Sequence, residues 1–230
     1  MNINLTAPTK WSELTADQFR ELTKTMTMHL TREEFLLVAF CKLTGVRRTG
    51  GDTYVDADGR RFGMEAWQVA DFCERLGWLL EAPDYVPSPG TEDTYLRDMT
   101  FVDWWEMDSH MRVWVETGSA ESLAIARAKV GMPPQEADER ELLHLRLWWQ
   151  WVSGWLSEKY PNVFAKGEGD GRPQSPFDTL NEISYMVRKA GLYGTPEEVA
   201  TAPVHTVLRD VDAEIEAAKR MERELKRPRK

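Results

Sequence analysis

The stretch Asp138-Glu-Arg-Glu-Leu-Leu-His-Leu-Arg-Leu-Trp148-Trp-Gln-Trp-Val-Ser-Gly-Trp-Leu-Ser-Glu-Lys159 holds four of the chain's ten tryptophans, Trp148, Trp149, Trp151 and Trp155. Wound at about 100° per residue, Arg146, Gln150, Ser153, Gly154 and Ser157 gather on one narrow polar strip, while the apolar residues sweep roughly 200° of the circumference. Such a helix requires neighbours on several sides, and it predicts a mainly helical protein built around it.

Outward from this stretch, helix-start grammar recurs. Thr15 with Gln18, Thr31 with Glu34, and Thr195-Pro196 with Glu198 each combine an N-cap with a capping-box residue. They predict helices over about Ala16–Met28 and Arg32–Leu43, and a short helix after Pro196. Thr100 and Ser119 predict caps for helices to about Thr117 and Val130, the second closed by Gly131 and Pro133. Residues 46–64 change to strand-like runs broken by Gly50-Gly51 and Asp58-Gly59, predicting a small β-hairpin that turns at Ala57-Asp58-Gly59. Glu65–Leu80 returns to helix, with Trp67, Val69, Ala70, Phe72, Cys73, Leu76 and Leu80 apolar. Pro83, Pro87 and Pro89 forbid helix and predict an extended strap. After Pro203 a final amphipathic helix reaches roughly Lys226, with Leu208, Val211, Ile215, Ala218 and Leu225 on a narrow seam.

The expected fold is therefore mainly α, a multi-helix bundle with a β-hairpin insertion and a long C-terminal amphipathic helix. Its expected segments are 1–80 with the hairpin at 46–64, a Trp-rich core at 81–164, a mobile Gly-rich loop at 165–175, and a helical end with a basic tail at 176–230.

Composition narrows the function classes. The chain has 230 residues, 42% hydrophobic and 29% charged, with a net charge of −9. These are values of a globular protein able to bury a core. Its acidity opposes nucleic-acid binding over a broad surface, which needs clustered Lys and Arg. No apolar run approaches the roughly 20 residues that span a bilayer, and Met1–Lys10 lacks an apolar signal core, so a cytoplasmic location is expected. Cys41 and Cys73 lie in apolar helical contexts without metal spacing and read as reduced thiols.

No motif names a chemistry. Aligned on Gly59 as a calcium loop, Asp56, Asp58 and Glu65 fall at liganding positions, yet Tyr54 takes the first position and Arg60 and Arg61 bring positive charge, so a plain turn is expected. His29, His110, His144 and His205 are scattered without zinc spacing. Gly167–Arg172 is acidic and lacks the Gly-Lys-Ser/Thr ending of a phosphate loop. There is no nucleophile elbow and no acidic pair whose environment can be argued. No catalytic residue, cofactor or metal is assigned. The tail Lys219–Lys230 carries seven basic residues against Glu222 and Glu224; it reads as helix capping and solubility, or as a hook for an acidic partner or nucleic acid.

The aromatic belt supplies the partner-binding candidates. Neither of the adjacent pairs Trp104-Trp105 and Trp148-Trp149 can point both rings at one neighbour, so one of each is expected at a contact surface, joined by Leu208, Val211 and Ile215 of the terminal seam.

Pro8-Thr-Lys-Trp11-Ser-Glu-Leu-Thr15-Ala-Asp-Gln-Phe19, the hairpin, Tyr95-Leu-Arg-Asp-Met-Thr-Phe101, Trp155-Leu-Ser-Glu-Lys-Tyr-Pro-Asn-Val-Phe164 and Thr195-Pro-Glu-Glu-Val-Ala-Thr-Ala-Pro-Val-His-Thr-Val-Leu208 together resemble proteins of the tail modules of tailed phages and prophages. The last segment resembles the C-terminal part of tail assembly chaperones. The resemblance implies a helical, non-enzymatic protein of the host cytoplasm that binds the tape measure protein or other tail proteins while tail tube subunits assemble; the sequence itself leaves a homo-oligomer open. The alternative it leaves open is a structural tail or connector component of the virion.

Overall fold

The computed structural model describes residues 5–133, 137–164 and 176–226, with side chains in the last stretch from residue 183. The segment expected as a mobile loop, 165–175, and the last four residues of the basic tail lie outside the described residues. The chain is mainly helical. In order it forms α1 (Ala16–Met26), α2 (Arg32–Thr44), strands β1 (Arg47–Gly50), β2 (Thr53–Val55) and β3 (Arg61–Gly63), then α3 (Ala66–Arg75), α4 (Phe101–Thr117), α5 (Ala120–Lys129), α6 (Glu139–Lys159), α7 (Pro176–Lys189), α8 (Pro196–Thr201) and α9 (Val204–Leu225).

The caps read from the sequence are present in the geometry. The Thr15, Thr31 and Thr195 hydroxyls accept the N–H of Gln18, Glu34 and Glu198, and the side chain of each of those residues returns a bond to the cap N–H. Thr100 and Ser119 cap α4 and α5 through the N–H of Asp103 and Ser122. Two expectations are corrected. The hairpin is a three-stranded antiparallel sheet in the order β1-β2-β3, because Gly50-Gly51 makes a second turn. The helix expected to Leu80 stops at Arg75 and continues as a 3-10 turn over Gly77–Leu80.

The chain divides into two compact units, residues 1–87 with 136–151 and residues 88–135 with 152–230. This replaces the linear segments expected from the sequence. The physical reason is the length of α6: 21 residues at 1.5 Å each span about 32 Å, so one helix serves two cores.

In the first unit, Phe19, Leu22, Phe35, Ala39, Phe40, Leu43, Leu76 and Leu145 are buried. The sheet is tied in by Tyr54, which is 2% exposed and meets Phe40 and Phe62 at ring-centroid distances of 6.3 and 6.1 Å. In the second unit, Met99, Phe101, Met107 and Met111 are buried, as are Val204, Val207, Leu208 and Val211 on α9. A short antiparallel bridge joins the starts of α4 and α9: Phe101 N–H donates to Ala202 O at 2.8 Å and Val204 N–H to Met99 O at 3.0 Å. Lys129 reaches Asp103 and Glu106, both at 2.6 Å, between α5 and α4. At the same end of α5, a Cβ added to Gly90 would collide with the Val130 carbonyl, so only glycine allows that crossing.

Along α6 the burial matches the amphipathic reading. Leu145, Trp148, Val152 and Leu156 are fully buried, while Arg146, Gln150 and Gly154 are exposed. Leu156→Ala is expected to cost about 2–5 kcal/mol in urea denaturation through lost transfer energy and a cavity. Arg146→Ala is expected to stay within about 0.5 kcal/mol. Gly154→Ala, where an added Cβ meets nothing within 4 Å, is expected to stabilise by about 0.5–1 kcal/mol, because glycine loses the most backbone freedom in a helix.

Candidate functional site

The second wall of a surface groove in the first unit is α3, a helix with no buried residue. Its small side chains Ala66, Ala70 and Cys73, followed by Gly77, recur at four- and three-residue steps and leave Leu37 of α2 half-buried, while Leu36 is buried. Together with Leu36 and Leu37 of α2 and with Trp67 and Val69 of α3, they line a concavity of about 640 Å³. Trp67 is 65% exposed, and its indole N–H donates to the Glu65 carboxylate at 2.6 Å, which fixes the ring at the rim. Phe72 holds the helix from behind, 5.2 Å from Phe40 between centroids.

Charged residues stand at the edge of the groove. Glu33, Asp71 and Glu74 oppose a single base, Arg32; Asp71 is also paired with Arg75 at 2.6 Å. Arg32, Glu33 and Glu74 are exposed, and Asp71 is half-buried. Burial pushes the Cys73 thiol up, with the nearby Cys41 adding to it, so it is a poor nucleophile at neutral pH. A small-molecule site of this volume would show a few polar groups converging on the ligand. Here the floor is apolar and the polar groups form a rim, the layout of a protein-binding patch.

The candidates named from the sequence fall elsewhere. Trp104, Trp148, Leu208 and Val211 are 5%, 0%, 0% and 1% exposed, so as contact residues they are corrected: each is committed to the interior. Trp105, Trp149 and Ile215 are half-buried. Trp105 lies 6.3 Å from Phe101 and 6.0 Å from Trp104 between centroids, part of an aromatic cluster. Adjacent helical residues differ by about 100°, so when one ring of each pair is buried the other is left at the edge of the core. The groove was missed because Trp67 read as one more apolar member of a helix. The signal that finds it is the run of small residues beside it.

The remaining motifs resolve as local structure. Asp56 accepts the N–H groups of Asp58 and Arg60 at 3.0 and 2.9 Å and the Arg60 guanidinium at 2.7 Å, so its carboxylate closes a turn. Two histidines act as fasteners. His144 Nε2 lies 2.9 Å from Pro87 O. His205 Nε2 lies 2.6 Å from Tyr95 O and its Nδ1 3.0 Å from the Tyr160 hydroxyl. A carbonyl only accepts, so Nε2 carries the proton in both, and at His205 Nδ1 accepts from Tyr160. Among the described residues no group of three or more His, Cys, Asp or Glu is placed to hold a metal ion, and no helix is long and apolar enough to cross a membrane.

No protein-family model matches the chain, and neither the curated proteins nor the solved structures hold a significant match to it.

Burial lowers the pKa of both His144 and His205, ahead of every other influence on them. Between those depressed values and the ordinary 6.5, the unfolded chain binds more protons than the folded one, so stability rises with pH. Their contribution is complete above about pH 6.5 and is lost as pH falls through that value toward the folded ones. Urea midpoints are expected to drop between about pH 7.5 and 5.5, with a smaller drop in His144→Phe; equal midpoints across that range would count against it.

Proposed function

We propose that this is a non-enzymatic protein of phage tail assembly that holds an amphipathic helix of a tape measure protein in the groove between α2 and α3, in the host cytoplasm. What supports the reading is the apolar, acid-rimmed groove with an exposed tryptophan at its lip. A helix laid in it would bury an apolar face against Leu36, Leu37, Val69 and Ala70, with Trp67 as the anchor and basic side chains over Glu33 and Glu74. The groove is formed without a partner, so little ordering opposes binding on this side, while its modest apolar area favours the release that an assembly factor requires. The resemblance to tail-module proteins supplies the choice of client, and the polar groups at the rim, rather than at the floor, favour holding a polypeptide over transforming a substrate.

Co-expression with a phage tape measure protein is expected to yield a co-purifying complex. Trp67→Glu should reduce recovery at least about tenfold, the loss of roughly 1.4 kcal/mol or more, whereas a polar substitution at half-buried Trp149 should leave recovery near normal. Recovery unchanged by Trp67→Glu rejects the groove as the binding surface. Mass spectrometry of purified particles is expected to lack the protein. Stoichiometric presence there would instead make it a structural component of the virion.

A further inference from the structure

The last turns of α9 leave the core of their unit. Docking along this helix ends where Lys219 Nζ donates to Asn162 Oδ1 at 2.8 Å, next to Asp212, which accepts from the Asn162 backbone N–H at 2.8 Å. Beyond that point Met221 is 62% and Leu225 86% exposed, four residues apart and therefore on one face. Lys219, Arg220, Arg223 and Lys226 flank them against Glu222 and Glu224, and the sequence continues Arg227-Pro-Arg-Lys230. Among the described residues Arg223 and Lys226 pair within the helix, with Glu216 at 3.5 Å and Glu222 at 2.5 Å. The end is thus a basic amphipathic helix with two uncovered apolar anchors.

The groove of the first unit has the complementary character, an apolar floor with three acids and one base at its edge. We propose that the groove between α2 and α3 receives the C-terminal end of α9 from a second copy of this chain, with Met221 and Leu225 on the apolar floor and the basic side chains over Glu33 and Glu74. The proposal rests on the groove as a helix-binding surface, and it does not depend on which client is bound. One copy gives a helix end and the next a groove, so the contact is head-to-tail and builds rings or open chains. Two apolar anchors make it weak, with self-association on the order of 100 µM. A client helix with more anchors displaces it, so the groove is covered until a client arrives.

Sedimentation velocity of the full chain from about 5 to 500 µM, a range that brackets this weak affinity, tests the contact with two variants, Trp67→Glu and the double variant Met221→Glu/Leu225→Glu. The wild type is expected to associate with concentration, and each variant alone to remain a monomer. An equimolar mixture of the two is expected to form a dimer and stop there, since only one groove and one helix end remain competent. A wild type that stays monomeric, or variants that fail to complement while the wild type associates, overturns the proposal. A second measurement does not involve Trp67: maleimide alkylation of Cys73, read by peptide mass, should slow at least threefold at high concentration in the wild type but not in the double variant. Equal rates overturn it as well. Client capture that survives in Met221→Glu/Leu225→Glu while self-association is absent from the wild type leaves the client reading standing; self-association without client capture does the reverse.

Discussion

A chain segment carrying three prolines cannot join a helix, and this molecule pairs two of its carbonyls, and two others on either side of it, with ring N–H groups. In the first unit the indole of Trp151 donates to Asp84 O at 2.9 Å, His144 meets Pro87 O, and Trp11 donates to Trp78 O at 3.3 Å. In the second, His205 meets Tyr95 O. An indole or imidazole offers a broad apolar body and one polar atom at its edge, so it can sit against a core and still pair with irregular backbone. Each ring therefore does two tasks at once. Removing it leaves both a void and an unpaired carbonyl, which explains why so many aromatic residues are architectural here.

Because the aromatic belt is consumed in this way, exposed apolar surface arises where a helix is lightly held. α3 is fastened at its back by Phe72 and by buried Leu76, while its small residues leave Leu37 of α2 half-buried. The sheet before it, anchored through Tyr54, fixes where α3 begins without adding cover. Larger side chains at positions 66, 70 and 73 would cover more of half-buried Leu37, but they would fill the space between the helices.

The terminal helix follows a related logic. Its first half is docked by Val204, Val207, Leu208 and Val211, and its seam continues past the last neighbour with the same period. A helix formed this way needs little further support, since the turns beyond Lys219 propagate from a nucleus already in place and gain side-chain ion pairs one turn apart. The acidic rim on one unit and the basic end of the other give the chain two surfaces of opposite sign, despite its overall charge of −9.

Local rules were sufficient for much of the fold. Thr15, Thr31, Thr100 and Thr195 mark helix starts because a hydroxyl and the N–H three residues on meet by local geometry alone. The polar strip of α6 was legible because periodicity records which face meets water. Periodicity does not record what covers an apolar face, so Trp104 and Leu208, equal in hydrophobicity to Trp67 and Leu225, could not be told apart from them in the sequence. Packing separated the two sets: long-range neighbours bury the first, and the small side chains of α3 and the end of docking along α9 leave the second in solvent.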